Sequence, residues 1–260
     1  MTSTVASADG TTIAFDRLGA GPPLIMVVGA FHTRVTAAPL AAQLEDRYTI
    51  LNYDRRGRGE SSDTPPYSVQ REIEDLDALI AEAGGSAAVF GYSSGAALAL
   101  HAAARGLAIS KLVLYEPPFL VDESRPRPPA DLVEQLDHLL SSGRRGDAVE
   151  LYQSKVVGIP EDVVAQMRHA PFRPGLEAIA HTLVYEATIM GDFTLPTDLL
   201  ASVPTPTLVI DGEKSPPFLR NAAHAVADAI PNGERRTLAG QTHEISPEET
   251  APLVSAFLSG

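Results

Sequence analysis

Residues 87–104 read AAVFGYSSGAALALHAAA, and this stretch decides how the rest of the chain is interpreted. Its first four residues form a short apolar run typical of a buried strand, and the alanine-rich part from Ala96 onward predicts a tightly packed helix. The pentapeptide between them places Ser93 at a strand-to-helix corner. A serine on such a corner is exposed on a sharp turn, and the amides after it point from a helix start, where a developing negative charge is stabilised. Ser93 is therefore the best candidate for a catalytic nucleophile.

The composition is that of a globular protein with a sizeable core. The 260 residues are 44% apolar, carry a formal net charge of −13 and include no cysteine. The acidic balance argues against nucleic acid or an anionic membrane as partner, and the lack of cysteine excludes disulfides, thiolate metal sites and a cysteine nucleophile. No apolar run is long enough to span a bilayer, and the first residues lack the features of a signal peptide. We expect a cytoplasmic protein, and the sequence is compatible with an oligomer.

Apolar runs and amphipathic segments alternate along most of the chain. The predicted strands are residues 12–16, 24–28, 49–53, 87–90, 111–115, 207–210 and 235–238. The predicted helices that alternate with them are residues 37–45, 69–83, 218–230 and 247–258. This alternation predicts an α/β fold with a mostly parallel central sheet and helices on both faces.

The alternation stops over residues 119–203, where only helical patterns occur. The helices expected there are residues 130–142, 147–157, 160–169 and 174–190. We therefore expect a core made of residues 1–118 and 204–260, with a helical cap inserted at residues 119–203. The cap should cover the edge at which the strands end, which is also where ligands bind in open α/β sheets.

A serine nucleophile needs a base, an acid that orients the base, and an oxyanion hole. Among the seven histidines, His243 follows the last predicted strand, in a loop that can reach over the strand ends toward Ser93. Two carboxylates compete for the acid: Glu116, directly after strand 111–115, and Asp211, directly after strand 207–210. Both preserve the chain order serine, acid, histidine, and either can accept a hydrogen bond from the imidazole.

The oxyanion hole is expected to use the backbone N–H of Ser94 and a second N–H from the loop after strand 24–28. That second donor is Ala30 or Phe31, because Gly29 allows the tight turn that points one of these amides into the site. Phe31, His32 and Tyr92 are the candidates for contact with a small-molecule substrate, although a structural role for His32 is an equal alternative.

A second conspicuous string, YDRRGRGES at residues 53–61, contains three arginines. It lacks the glycine spacing and the lysine of a phosphate-binding loop, and its arginines are too few and too neutralised for nucleic acid. We predict a structured loop held by pairs between arginine and carboxylate side chains.

These motifs make the chain resemble the α/β-hydrolase fold superfamily, in particular its esterase-like and lactonase-like branch with a helical cap. The resemblance runs nearly end to end, through Val28-Gly29, residues 54–61, Gly91 to Gly95 and Gly240 to His243. It implies that Ser93 is the nucleophile and His243 the base, with the amides of Ala30 and Ser94 as oxyanion donors.

The chain departs from the superfamily pattern at two positions. Val28 stands where a histidine usually precedes the oxyanion glycine, and Ser215 stands where the usual acid, an aspartate, falls. A serine cannot hold a negative charge beside an imidazolium. Some members of the superfamily carry the acid one strand earlier, which matches Glu116, so Glu116 is preferred and Asp211 is the alternative.

The favoured hypothesis is hydrolysis of a carboxylic ester or lactone of a small, mostly apolar molecule through an acyl-enzyme at Ser93, with no metal or organic cofactor. Because one fold hosts many reactions, a non-hydrolytic enzyme is the first alternative: acyl transfer, C–C cleavage or natural-product cyclisation. The second alternative is a ligand-binding protein on the same scaffold, which the pairing of Ser93 with His243 disfavours.

Overall fold

The computed structural model describes residues 2–260, which build one eight-stranded sheet in the order β1-β2-β4-β3-β5-β6-β7-β8. The first two strands run antiparallel to their neighbours, and every pairing from β4 to β8 is parallel. The strands are β1 Thr2–Ala6, β2 Thr12–Leu18, β3 Pro23–Val27, β4 Thr49–Tyr53, β5 Ala87–Tyr92, β6 Ile109–Tyr115, β7 Thr207–Gly212 and β8 Gly233–Leu238.

Helices cover both faces of this sheet because successive strand residues point to opposite sides. One face packs against α2 (Val69–Glu82), α3 (Ser94–Ala104) and α10 (Pro217–Ala229), and the other against α1 (Arg34–Leu44) and α11 (Pro247–Ser259). The prediction of a mostly parallel sheet with helices on both faces is confirmed. Among residues 2–260, no helix is long and apolar enough to cross a membrane.

Between β6 and β7 the chain forms a helical excursion, which we call the inserted segment (residues 119–203). The chain returns to the start of this segment before the last of its helices, because the Leu120 N–H donates to the Phe193 carbonyl over 2.7 Å. A π-helical turn at Gln153–Val157 prolongs the second of its helices. The helices are α4 Leu132–Ser141, α5 Arg145–Tyr152, α6 Glu161–Met167, α7 Arg173–Ala178, α8 Thr182–Met190 and α9 Thr197–Ala201.

The structure differs from the predicted elements at three places, one of which is the short helix α9, which was not predicted. Strand β1 was not predicted, because it lies at the sheet edge with almost every residue exposed and shows no apolar alternation. The single helix predicted over residues 174–190 is two helices, α7 and α8. They separate where the Thr182 N–H and hydroxyl both donate to the Ile179 carbonyl, which closes a tight turn instead of continuing the helix.

Candidate active site

Ser93 lies between the end of β5 and the start of α3 with φ 55° and ψ −125°. A residue with a side chain is strained at this positive φ, and such strain is concentrated at functional sites. Two hydrogen bonds of 2.9 Å hold the corner: the Ser93 N–H donates to the Tyr115 carbonyl, and the Ala96 N–H donates to the Ser93 carbonyl. The serine is consequently turned out of the sheet at the carboxyl ends of the strands.

Two glycines allow this corner to close. A methyl group on Gly91 would lie 2.6 Å from the Cα of Ala96, and one on Gly95 would lie 2.3 Å from the Val27 carbonyl oxygen. Both distances are far below van der Waals contact. The motif therefore requires glycine at these positions so that α3 can start directly against β5 and β3.

Glu116 and His243 form the most informative pair in the molecule. The Glu116 carboxylate is completely buried, and its Oε2 lies 2.6 Å from Nδ1 of His243. Its other oxygen, Oε1, accepts the Gly212 N–H over 2.8 Å. Glu116 leaves β6 with a positive φ of 48°, which points its side chain across the end of β7 toward the histidine loop. Because both oxygens are acceptors, this arrangement fixes the tautomer that has its proton on Nδ1.

Two tyrosines hold the His243 loop above the strand ends. The Tyr92 hydroxyl donates to the His243 carbonyl over 3.1 Å, and the Tyr115 hydroxyl donates to the Thr242 carbonyl over 2.8 Å. Burial and the nearby Glu116 raise the pKa of both phenols, so both hydroxyls stay protonated donors at neutral pH. The His243 ring packs against the ring of Tyr92, the residue before Ser93, with the ring centroids 5.0 Å apart.

The alternative acid, Asp211, makes its side-chain hydrogen bonds to Arg235 and Thr237. Its two carboxylate oxygens accept hydrogen bonds from Arg235 at 2.8 and 2.9 Å, and one of them also accepts the Thr237 hydroxyl at 3.0 Å. It therefore ties β7 to β8, and it makes no hydrogen bond to His243. Ser215 is buried, and its hydroxyl has no partner among residues 2–260.

The Ser93 hydroxyl makes no hydrogen bond within the described chain, and none joins it to His243. Contacts between nucleophile and base are often loose before substrate binds and tighten in the complex. The structure thus brings the candidate acid and the candidate base into contact and leaves the Ser93 hydroxyl without a hydrogen bond.

The loop after β3 supplies the second part of the predicted oxyanion hole, with one amide already engaged. The Ala30 N–H donates to the side-chain oxygen of Ser94 over 2.9 Å. The amides of Phe31 and Ser94 have no acceptor among residues 2–260, and Phe31 has a positive φ of 64°. Of the three predicted donors, Ser94 and Phe31 are therefore uncommitted, whereas Ala30 is committed to a neighbour.

The three predicted substrate contacts take different positions. Phe31 meets Tyr152 of the inserted segment edge to face, with ring centroids 5.5 Å apart. Tyr92 is buried against the rings of His32 and His243, and its hydroxyl supports the histidine loop. His32 stacks on Tyr92 at 5.3 Å, and its Nδ1 is buried without a partner in the described chain.

The comparison with known proteins decides the family. The sequence profile described as "Alpha/beta hydrolase family" matches residues 24–255, which is most of the chain. The chain belongs to the alpha/beta hydrolase family. The structure of an alpha/beta hydrolase from Sphaerobacter thermophilus is 54% identical, covers 98% of this chain and 100% of its own, and superposes with a TM-score of 0.93.

Two curated relatives are similar over nearly the whole length of this alpha/beta hydrolase. The 2-(acetamidomethylene)succinate hydrolase of Mesorhizobium japonicum is 27% identical, covering 92% of this chain and 89% of its own. The pimeloyl-[acyl-carrier protein] methyl ester esterase of Stenotrophomonas maltophilia is 29% identical, covering 93% and 95%. With these relatives, the family assignment supports a hydrolase.

Sequence reasoning missed one buried acid beside this site. Glu186 of α8 is fully buried and contacts Arg55 and Arg58 of the arginine string. The string itself behaves as predicted, since Arg55 also pairs with Glu72 and Arg56 with Asp75, each at 2.7 Å. Glu186 carries no motif, and its partners lie 131 and 128 residues away, so only the folded chain reveals the cluster.

Replacing His32 with asparagine is expected to flatten the pH dependence of the hydrolase's stability. Burial, together with Arg58 and His243, lowers the pKa of His32 from 6.5 to about 4. Between those two values the unfolded chain binds a proton that the folded chain does not, so stability is lost as pH falls through this window. The lost contribution is about 3 kcal/mol by pH 4. Urea unfolding of the wild type and of His32→Asn at pH 7, 5 and 4 measures the free energy of unfolding of each protein. An equal change of this free energy with pH in the two proteins would contradict the lowered pKa of His32.

Proposed function

We propose that this protein is a serine hydrolase that cleaves a carboxylic ester or lactone of a small, mostly apolar molecule through an acyl-enzyme at Ser93. The observation that carries the proposal is the 2.6 Å contact between His243 Nδ1 and the fully buried Glu116 carboxylate, set beside the strained corner of Ser93. A buried acid, an imidazole and a serine in this order are the parts of an acyl-transfer site.

The proposed reaction has two halves. Ser93 Oγ attacks the substrate carbonyl while its proton passes to Nε2 of His243, and the imidazolium is stabilised by Glu116. The tetrahedral intermediate collapses as the alkoxide leaves with the proton from His243, which forms the Ser93 ester. His243 then takes a proton from water, the hydroxide attacks the ester, and Ser93 recovers its proton as the carboxylic acid departs.

The negative charge on the tetrahedral oxygen needs amide donors. Ser94 offers an uncommitted N–H at the start of α3, where the helix dipole is also favourable. From the loop after β3 we propose Phe31 as the resting donor, since the Ala30 N–H is already donated to the Ser94 hydroxyl. Ala30 can serve only when that hydroxyl turns away.

One contact supports a mostly apolar substrate, and one relative supports the class of bond. Phe31 and Tyr152 place two aromatic rings in contact where the loop after β3 meets the inserted segment, which we propose acts as a cap. The relative from Stenotrophomonas maltophilia is named for a methyl ester of an acyl chain, which is the same class of bond.

A panel of chromogenic esters and lactones of graded acyl size, assayed with wild type and Ser93→Ala, tests the proposal. We expect turnover of at least one acyl class by the wild type, none by the variant, and one heavy oxygen in the acid product when the reaction runs in labelled water. A product without labelled oxygen would indicate a non-hydrolytic enzyme. Tight ligand binding without turnover, unchanged in Ser93→Ala, would indicate a binding protein.

A further inference from the structure

A buried cluster of charged side chains joins the inserted segment to the loop of residues 54–61, which follows β4. Glu186 of α8 has no exposed surface, and its Oε1 accepts hydrogen bonds from Arg55 Nη1 at 2.7 Å and from Arg58 Nη2. Both arginines are fully buried too. Buried charges of this kind must be paired, because an isolated one has a large desolvation cost. Glu186 is thus the only carboxylate in the described chain that binds Arg55 and Arg58 together.

The same two arginines hold the backbone of the loop after β3. Arg58 Nη1 donates to the Gly29 carbonyl over 2.6 Å and to the His32 carbonyl over 3.2 Å. Arg55 Nη1 donates to the Val28 carbonyl over 3.1 Å. The Gly29 carbonyl and the Ala30 N–H belong to one planar peptide unit. By binding the carbonyl, Arg58 therefore also fixes the direction of that N–H.

The Ser94 side chain binds the N–H side of the same Gly29–Ala30 peptide. Its hydroxyl oxygen accepts the Ala30 N–H over 2.9 Å, which leaves the hydroxyl proton to be donated elsewhere. The second carboxylate oxygen of Glu186, Oε2, is buried and has no hydrogen-bond partner in the described chain. Burial opposes ionisation of Glu186, but Arg55 and Arg58, aided by Ser94, outweigh it and hold the pKa of the carboxyl below its usual value.

We propose that Glu186 is a positioning residue for the oxyanion hole. By holding Arg58, which binds the Gly29 carbonyl, Glu186 sets the Gly29–Ala30 peptide and the amides around it. The inserted segment would in this way control transition-state stabilisation without touching the substrate. This inference rests on the proposed serine hydrolase function.

Glu72 provides a matched control for the charge itself. It is a buried glutamate that binds Arg55 through two hydrogen bonds of 2.7 Å, but it lies on α2 in the core and makes no contact with Arg58 or Ser94. Replacing either glutamate with glutamine removes a buried negative charge beside Arg55. Only the change at position 186 releases the Gly29–Ala30 peptide.

The test compares Glu186→Gln, Glu72→Gln and Ser94→Ala with wild type on the best ester and on its thionoester, whose sulfur accepts hydrogen bonds poorly. Misplacing a catalytic group by about 1 Å costs up to about 100-fold in turnover. We expect Glu186→Gln to lower kcat on the ester by about 10- to 100-fold with KM changed less than about 2-fold, and to lower it less on the thionoester. Glu72→Gln should keep kcat within about 3-fold even if it melts earlier.

Several results would overturn the inference: a folded Glu186→Gln with wild-type kcat, equal losses in Glu186→Gln and Glu72→Gln, or equal losses on ester and thionoester. If Glu186→Gln does not fold, Ser94→Ala decides, because it removes the hydroxyl that holds the Ala30 N–H of the same peptide. A wild-type kcat in Ser94→Ala would then contradict the inference. A wild type that neither turns over esters nor reacts at Ser93 would instead remove the proposed function, and the inference with it.

Discussion

Replacing Ser93 with alanine is expected to lower ester turnover by roughly four to six orders of magnitude, to the rate that binding and the oxyanion amides alone provide. The half-buried side chain makes no hydrogen bond in the described chain, so its loss should leave the fold intact. Alanine at positive φ is about as strained as serine, and the melting temperature should therefore change little. Steady-state kinetics on the best ester of the panel, with a thermal melt, measure both effects.

Ser215→Ala is the matched control for this loss. Ser215 is also a serine near the strand ends, and its buried hydroxyl has no partner among residues 2–260. Its replacement should keep kcat within about 3-fold, because removing an unpaired hydroxyl costs no hydrogen bond. Comparable losses in Ser93→Ala and Ser215→Ala would mean that the loss at Ser93 is not chemical in origin.

Glu116→Gln is the second large change, expected to lower kcat by about 10²- to 10⁴-fold. Both oxygens of Glu116 are acceptors, one for the Gly212 N–H and one for His243 Nδ1. A glutamine has only one acceptor oxygen, so its NH₂ group must face one of these donors. If it faces His243, the imidazole is driven to the tautomer that cannot accept the Ser93 proton. In either orientation the imidazolium loses its counter-charge.

Asp211→Asn distinguishes the two candidate acids. Asp211 binds Arg235 and Thr237, so its amide should weaken the link between β7 and β8 and lower the melting temperature. Turnover at a temperature where the variant is folded should stay within about 3-fold of wild type. A large loss of kcat in Asp211→Asn together with a small one in Glu116→Gln would reassign the acid to Asp211.

Much of the fold could be predicted from the sequence because the patterns that indicate its strands and helices are local. The apolar run and alanine-rich helix around Ser93, and the amphipathic pattern of α2, each lie within one short stretch of sequence. The placement of Glu116 and His243 also follows from local signals, since each comes just after a predicted strand and parallel strands end at one edge. The exposed edge strand β1 and the break between α7 and α8 depend on pairing and turn geometry that no periodicity encodes.

Finer details of the site depend on contacts between distant residues. The commitment of the Ala30 amide depends on the Ser94 side chain, 64 residues later. The support given by Tyr92 depends on a loop 151 residues later. Glu186 reaches the arginines from a helix with no recognisable motif. Charge balance required a partner for each buried arginine, but only the packing of α8 determines which carboxylate fills that role.

The most direct test of the central claim is the reaction of the native protein with a fluorophosphonate, followed by intact-mass measurement and peptide mapping. The proposed acid–base pair of Glu116 and His243 should activate a single serine, so we predict one adduct per chain, on Ser93. Labelling should be much slower in Glu116→Gln and absent in Ser93→Ala. A native protein that remains unlabelled, or that carries its adduct on another residue, would contradict the account.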